Sequence, residues 1–472
     1  MNETGVRNVD VAVIGAGTAG LAAYRAAVKL GKDALLIEAG AYGTTCARVG
    51  CMPSKLLIAA AEAAHHATHA TPFGVSATVK VDGRAVMDRV LRERDRFVGF
   101  VLESVDNIPP AHRLTGRARF VGPNELDVEG VHVTFKTVVI ATGSSPFVPP
   151  MFDAIRDRLV VNDDVFAWED LPESVAVFGA GVIGLELGQA LHRLGVRVRI
   201  FGRSGSVGPL TDPVVKKAAA AAFEAELPVD FDADVLAVEP EGATGVVVRY
   251  VDRDGNERTE HFASALVAAG RRPNIQNLGL ENVGIPSNAT VDRTTLRWDD
   301  SHVFIAGDAN NDIPLLHEAA DEGAIAGENA ARYPDVRSGK RRTPLGIAFT
   351  EPTLAVIGEG FATISARGPI ATGQVDFGDQ GRSRIMLQNK GAARVYADPA
   401  TRRFLGAEIA GPRAEHLAHL LAWAHQAELT IDQMLAMPFY HPVVEEGIRT
   451  ALRDVAAKLG SGAAASGSKI TK

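Results

Sequence analysis

The sequence predicts an α/β protein made of two Rossmann-like dinucleotide-binding units and a separate C-terminal α+β domain. Three observations carry this. A β-branched run over residues 9–14 leads straight into Gly15-Ala16-Gly17-Thr18-Ala19-Gly20 and an Ala/Leu-rich helical pattern. The same succession recurs at 174–178, where Gly179-Ala180-Gly181-Val182-Ile183-Gly184 opens a second helix. From Thr343 onward the texture changes to alternating strands and two helices with no phosphate turn. A chain of 472 residues is too long for one core, and at ~150 residues per domain it predicts roughly three.

Taken in order, the first Gly-rich turn lets backbone N–H groups and a helix dipole meet a pyrophosphate without side chains in the way. The strand over 34–37 ends in Glu38, an acid placed to accept hydrogen bonds from a ribose. Residues 59–70 read as a helix bearing His65, His66 and His69 without the acids of a metal site, so these are expected on a surface or interface. Residues 81–102 read as a long, Arg-rich helix with mostly solvated charges. Residues 113–140 read as a small meander ending at Ala141-Thr142-Gly143.

A connector with Pro146, Pro149 and Pro150 and an acidic stretch, 162–172, precede the second unit, whose next strand is expected over 197–201. Two such units imply two nucleotide cofactors. Glu38 lies 23 residues after Gly15, and the same offset from Gly179 falls on Gly202, followed by Arg203. A carboxylate there binds the 2′-hydroxyl of NAD and repels a 2′-phosphate, whereas an arginine favours NADP. Arg203 stands either for that preference or for a solvated surface charge. Gly270 follows a further buried-looking strand. Asp308, at the tip of the strand 303–305, either holds the polyol chain of a flavin or caps a turn or helix. A helix is expected over 313–331, strands over 354–357, 383–388, 394–396 and 404–409, and helices over 414–427 and 443–459. The Gly/Ala/Ser-rich tail, 460–472, is expected to be disordered because it cannot bury enough apolar surface.

The only two cysteines, Cys46 and Cys51, stand five positions apart. In a regular helix their Cα atoms would lie roughly 8 Å apart, beyond the ~4.4–6.8 Å a disulfide spans. A bond between them must distort the backbone, and a strained short-loop disulfide is easily reduced. The spacing leaves open a redox pair and two unrelated buried thiols. No second Cys/His cluster of suitable spacing accompanies them, so no metal site is expected. A formal charge of −8 argues against nucleic acid as a main partner. No apolar run reaches membrane-spanning length, and the first strand begins almost at once, so a cytoplasmic protein is expected. In that reducing setting a cysteine pair is more often catalytic than structural.

Cys46, Cys51 and Lys55, the two dinucleotide turns, and His441-Pro442 with Glu446 together resemble the flavin-dependent pyridine nucleotide–disulfide oxidoreductases, over nearly the whole chain outside the tail. Within that family the Met-Pro-Ser-Lys after Cys51 is most similar to the dihydrolipoyl dehydrogenases. Mercuric reductase and high-molecular-weight thioredoxin reductase need further C-terminal thiols or selenols, which this sequence lacks. The resemblance implies a discontinuous FAD-binding domain (1–150 and 271–342), an NAD(P)-binding domain (151–270) and a dimerisation domain (343–459). It implies that Cys51 faces the flavin as the charge-transfer thiolate, that Cys46 exchanges with substrate, and that Lys55 sits near the flavin paired with Glu186. His441, held by Glu446, is the implied acid/base and reaches the cysteines of the other subunit, so that the site exists only in a homodimer. FAD contacts are implied for Gly15, Gly17, Gly20, Glu38, Thr45, Lys55, Ala118, Thr142, Gly143, Asp308 and Leu316. Contacts to NAD or NADP are implied for Gly179, Gly181, Gly184, Arg203, Val235 and Gly270.

The implied activity moves two electrons between dihydrolipoamide and NAD(P) through FAD and the cysteine pair, with a lipoyl-bearing 2-oxoacid dehydrogenase complex as partner. An NADPH-dependent reductase of another small disulfide, similar to glutathione reductase, is the alternative. A flavoprotein that binds or scaffolds with little turnover is a third reading. The sequence departs from the family at Thr44, where a second glycine is usual, and at Phe439-Tyr440 and Val443-Val444, which flank His441. It departs again at Gly202, where the ribose-binding acid is missing.

Overall fold

The computed structural model describes residues 6–286 and 289–460. The tail expected to be disordered lies, from 461 on, outside the described residues. The chain opens with β1 (Val6–Ile14), α1 (Thr18–Lys29) and β2 (Ala34–Glu38). β1 pairs parallel with β2 and, on its other side, with a later strand, and this burial on both edges suits its β-branched sequence. Three helices follow, α2 (Thr45–Val49), α3 (Cys51–Thr68) and α4 (Gly83–Asp106). β3 (Arg113–Thr115) then extends the sheet beyond β2, and β4 (Ala118–Gly122), β5 (Glu125–Val128) and β6 (Val131–Ile140) form the antiparallel meander that delivers β6 beside β1.

The connector holds the short β7 (Ser144–Pro146), β8 (Leu159–Val160) and α5 (Asn162–Val165). Next come β9 (Ser174–Phe178), α6 (Val182–Arg193), β10 (Arg197–Phe201), α7 (Pro213–Glu224) and β11 (Val229–Asp230). Three antiparallel strands, β12 (Asp234–Glu241), β13 (Gly245–Val251) and β14 (Glu257–Phe262), intervene before β15 (Ser264–Val267) closes a parallel sheet in the order β11-β10-β9-β15-β8. The sequence reading missed that three-stranded layer, although the buried Val246, Val248 and Tyr250 alternate as strand residues do. β16 (Arg271–Pro273) pairs with β7 and returns the chain to the first sheet, where β17 (Val303–Ile305) joins β6 and α8 (Leu316–Arg332) covers it.

Glycines make the α1–α8 contact. A Cβ at Gly323 would stand 2.1 Å from the Ala19 carbonyl oxygen, and one at Gly327 would stand 2.2 Å from that of Ala23. No helix among the described residues is long and apolar enough to cross a membrane.

The C-terminal part contains β18 (Leu345–Ala348), β19 (Thr353–Gly358), α9 (Phe361–Arg367), β20 (Ala371–Asp376), α10 (Gly381–Ile385), β21 (Ala392–Ala397) and β22 (Phe404–Gly411). Its antiparallel sheet runs β18-β19-β22-β21-β20, followed by α11 (Ala414–Gln426), α12 (Ile431–Leu435) and α13 (Glu445–Lys458). The strand expected over 383–388 is not one. Those residues fall on α10 and the turn after it, because the Gln380 side chain accepts from both the N–H (2.7 Å) and the hydroxyl (2.8 Å) of Ser383 and starts a helical turn. The strand that fills the sheet edge is β20, which ends at Asp376, before that segment begins. Fully buried Glu408 ties this sheet to the second unit, accepting from the N–H groups of Thr211 (2.7 Å), Asp212 (2.8 Å) and Phe361 (2.8 Å).

Because the α1–α8 contact is backbone against backbone, Gly323→Val has no side chain to displace and must push the helices apart. Thermal and denaturant unfolding should show a loss of about 3 kcal/mol, together with weakened retention of whatever the first unit binds.

Candidate active site

The two Gly-rich turns share one geometry. At Gly15 and Gly179 φ is +104° and +119°, and an added Cβ would meet the carbonyl oxygen of Ala141 at 2.3 Å or of Ala268 at 2.4 Å. At Gly20 and Gly184 it would meet the carbonyl oxygen of Gly15 at 1.8 Å or of Gly179 at 1.9 Å, so helix and turn close on each other only without side chains. Gly17 and Gly181 face open space, where a Cβ would fill the cradle a pyrophosphate needs.

The first turn borders a cavity of about 490 Å³ whose lining includes Gly15, Gly17, Thr45, Ala118, Thr142 and Gly143. Glu38 lines it too, one carboxylate oxygen accepting from the Ala16 N–H (2.7 Å) and the other from that of Gly40 (2.8 Å). Thr142 Oγ1 is shut from water with no hydrogen-bond partner, as expected of a group meant for a bound molecule. The residues present therefore fit a dinucleotide. Gly20, Lys55, Asp308 and Leu316 are not among the lining residues. Asp308 Oδ2 accepts from Ser144 Oγ (2.6 Å), itself bonded by Arg271 Nε (2.9 Å), and Leu316 is exposed.

Strand register fixes the comparison of the second turn with the first. Ile14 stands opposite Ile37 and Phe178 opposite Phe201, so Gly202 occupies the place of Glu38. A Cβ at Gly202 would lie 2.8 Å from both the Cα and the carbonyl oxygen of Phe231, so the chain after β11 excludes any side chain there. Arg203 is exposed, and its guanidinium has no ion-pair partner among the described residues. The Ser204 N–H beside it donates to Asp232 (2.8 Å). Val235 packs half-buried against the cluster around Phe152. Gly270, with φ +103°, accepts at its carbonyl from the Phe147 N–H (2.9 Å).

Cys46 lies in α2 and Cys51 is the first residue of α3. Gly50 breaks the helix between them with φ −127° and ψ −116°, and its bare Cα packs so close to Cys46 that a Cβ would stand 3.2 Å from the Cys46 Cα. This break interrupts the regular helix that would otherwise carry both cysteines. Both cysteines are thiols here, and they are not equivalent. The hydrogen bond from Cys46 holds the Cys51 thiol down to about 7 against the opposing effect of burial, and the charge of Lys55 adds to it. The same hydrogen bond, with burial, pushes the Cys46 thiol far up. Of the two sulfurs, Cys51, at the first position of α3, is therefore the one that favours the thiolate.

Lys55 Nζ stands 2.7 Å from Glu186 Oε2, joining α3 to α6. Glu186 Oε1 accepts from the Phe349 N–H at 2.7 Å, and Lys55 Nζ lies 4.8 Å from the centre of the Phe349 ring. His441 Nδ1 and Glu446 Oε2 are 2.9 Å apart, and Arg449 donates to the other Glu446 oxygen at 2.8 Å. His441 is 79% exposed with Tyr440 beside it, and among the described residues its one hydrogen-bond partner is Glu446, so within one chain it makes no hydrogen bond to the cysteines. The sequence reading missed Phe349, Arg449 and Ser144. Only Arg449 carried a local signal, three residues after Glu446 on one helix face. Thr44 has φ +59° and ψ 149°, a region that suits the glycine usual there, and it caps α2 through a hydrogen bond from the Ala47 N–H (3.3 Å).

Residues 9–323 match the pyridine nucleotide-disulphide oxidoreductase family, and residues 345–452 match that family's dimerisation domain. The dihydrolipoyl dehydrogenase of Halobacterium salinarum is 32% identical over 457 residues, covering 93% of this chain and 94% of that protein. A mercuric reductase of Staphylococcus aureus is 26% identical, over 94% of this chain and 81% of its own. The solved structure of the HOCl-induced flavoprotein disulfide reductase RclA from Escherichia coli superposes with a TM-score of 0.77 at 21% identity, covering 94% of this chain and 99% of that one, which bears on the fold alone. With paired glycine turns, a cysteine pair and a dimerisation sheet each lying where those matches run, the chain belongs to the pyridine nucleotide-disulphide oxidoreductase family.

Proposed function

We propose that this protein is a dihydrolipoyl dehydrogenase-like enzyme that passes two electrons between a lipoyl dithiol and NAD(P) through the Cys46–Cys51 pair. The observation that carries this reading is geometric: Cys51 opens α3 five residues after Cys46, with Lys55 one turn on and held by Glu186 at 2.7 Å. Enzymes of the family use FAD and NAD(P), and FAD supplies a two-electron carrier between the nicotinamide and the cysteines. In this reading 1–150 with 271–342 hold FAD, 151–270 hold the nicotinamide coenzyme, and 343–459 meet a second copy. The match to the dimerisation domain supports a homodimer.

Starting from the oxidised pair, His441 of a second copy takes a proton from one substrate thiol, and the thiolate attacks Cys46 Sγ. The Cys46–Cys51 bond breaks, and Cys51 leaves as a thiolate stabilised by Lys55. The second substrate thiol then attacks the substrate sulfur of the mixed disulfide. Cys46 departs and takes up that thiol's proton, and the substrate leaves as its disulfide. Glu446 holds the imidazole through Nδ1, leaving Nε2 for the thiol. An NADPH-dependent reductase of another small disulfide is a second reading, favoured by closed Gly202 and exposed Arg203.

Steady-state turnover of oxidised lipoamide with NADH should exceed that of glutathione disulfide. A clear NADPH preference with little lipoamide activity would favour the second reading instead. His441→Gln should cut dithiol turnover by ~10²–10⁴-fold while rapid flavin reduction by the nicotinamide changes little, and equal losses in both would argue against an acid/base role. In the two-electron-reduced enzyme, the long-wavelength absorbance of a Cys51 thiolate against the flavin should persist down to about pH 7 and fade below it, since only the deprotonated sulfur gives it. A midpoint near the ordinary thiol value of 9.0 would contradict the assignment.

A further inference from the structure

Three segments distant in sequence meet behind the redox pair. From Cys51, α3 brings Lys55 one turn on. On α6, Glu186, Gln189 and Arg193 stand at spacings of three and four residues and so share a face. The third segment is the Phe349-Thr350-Glu351 peptide after β18. Glu186 is nearly sealed from solvent at 4% exposure, with one oxygen on Lys55 and the other on the Phe349 N–H. Two residues along, the Gln189 amide grips the Glu351 peptide at both ends: Glu351 N–H donates to Gln189 Oε1 (2.9 Å), and Gln189 Nε2 donates to the Glu351 carbonyl (2.8 Å). Gln189 Nε2 also donates to Glu226 (3.0 Å). One turn further, Arg193 bonds both Glu351 (3.0 Å) and Glu226 (2.6 Å).

We propose that Gln189 is a positioning residue: by clamping the Glu351 peptide it fixes the Phe349 N–H on Glu186 and the Phe349 ring on Lys55, and so sets how strongly Lys55 favours the Cys51 thiolate. The proposal rests on the reading of Cys51 as the flavin-facing thiolate. A buried amide whose only task was to satisfy its own hydrogen bonds would need no particular partner. Here the partner is the peptide that touches both members of the Lys55–Glu186 pair. The titratable groups acting on Cys51 from the chain are Cys46 on α2, Lys55 on α3 and Glu186 on α6, with His441 of the second copy facing the pair in the proposed dimer. Cys46 and the imidazole are not linked to Gln189. Lys55 and Glu186 are, through the 349–351 peptide, and they act on Cys51 with opposite signs. Their mutual placement therefore decides the balance. A slackened clamp lets Lys55 swing away, and the Cys51 thiol becomes less acidic.

The test is the pH midpoint of the long-wavelength thiolate absorbance in FAD-loaded, two-electron-reduced enzyme, with flavin content and melting temperature recorded alongside. Gln189→Leu removes both peptide hydrogen bonds at similar volume, and Gln189→Asn, a milder variant, withdraws the amide while keeping its polarity. Both should move the midpoint upward by roughly half a pH unit, a fraction of the 1–3 units a close opposite charge is worth. The shift should vanish when Gln189→Leu is placed in a Glu186→Gln background. Unshifted midpoints with a lowered melting temperature would make Gln189 structural only and overturn the proposal. A shift undiminished in the Glu186→Gln background would overturn the route through Glu186. Wild-type enzyme lacking the absorbance altogether would instead overturn the Cys51 reading beneath, which is a separable failure.

Discussion

The Glu186 carboxylate is the point on which the rest of this molecule depends. A buried carboxylate is costly unless each oxygen is paired, and Glu186 meets that demand with Lys55 on one side and the Phe349 N–H on the other. Those two partners belong to the first nucleotide unit and to the C-terminal sheet, while Glu186 itself sits on the helix that opens with the second glycine turn. Three stretches of chain are thus pinned at one atom pair, directly behind the cysteines. Glu408 repeats the device at a second junction, where three backbone N–H groups replace the lysine.

Around the cysteines the backbone is bent to suit the chemistry. Gly50 ends the five-residue α2 so that α3 can begin on Cys51, which puts that sulfur at the start of an 18-residue helix, whereas Cys46 stands near the start of only the short one. Thr44 adopts a conformation unusual for a β-branched residue, and its capping hydrogen bond offsets part of that strain. The asymmetry between two chemically identical thiols therefore comes from placement alone.

Local sequence was legible and distant pairing was not. The strands, turns and helices at Gly15 and Gly179 could be read because each is contained in some thirty residues with its own period and punctuation, and the offset to Glu38 and Gly202 survived as strand register. The match of His441 to Glu446, five residues on, is likewise local. Lys55 and Glu186, 131 residues apart, were paired only through resemblance to a family. Phe349 gave no signal because its contribution is a backbone N–H, which every residue but proline owns. The strand expected over 383–388 failed because a single side chain, Gln380, redirects the chain into a helical turn that apolar alternation does not register. The two thiols were likewise ranked only through that family resemblance, since their difference arises chiefly from the contact between them, which the fold assembles.

The closed position at Gly202 constrains how this chain can diverge. A carboxylate at that site is one or two nucleotide changes away in a gene, yet the Phe231 backbone stands where its Cβ must go. Any lineage that acquires the acid must first relocate the segment after β11, which is held to the strand tip by the Gly202 N–H on the Asp230 carbonyl (2.6 Å). Neighbouring exposed positions such as Arg203 are free to drift. In the proposed reading, coenzyme choice is plastic at one residue and locked at the next, and an engineer wishing to place an acid there would have to exchange a loop rather than a letter.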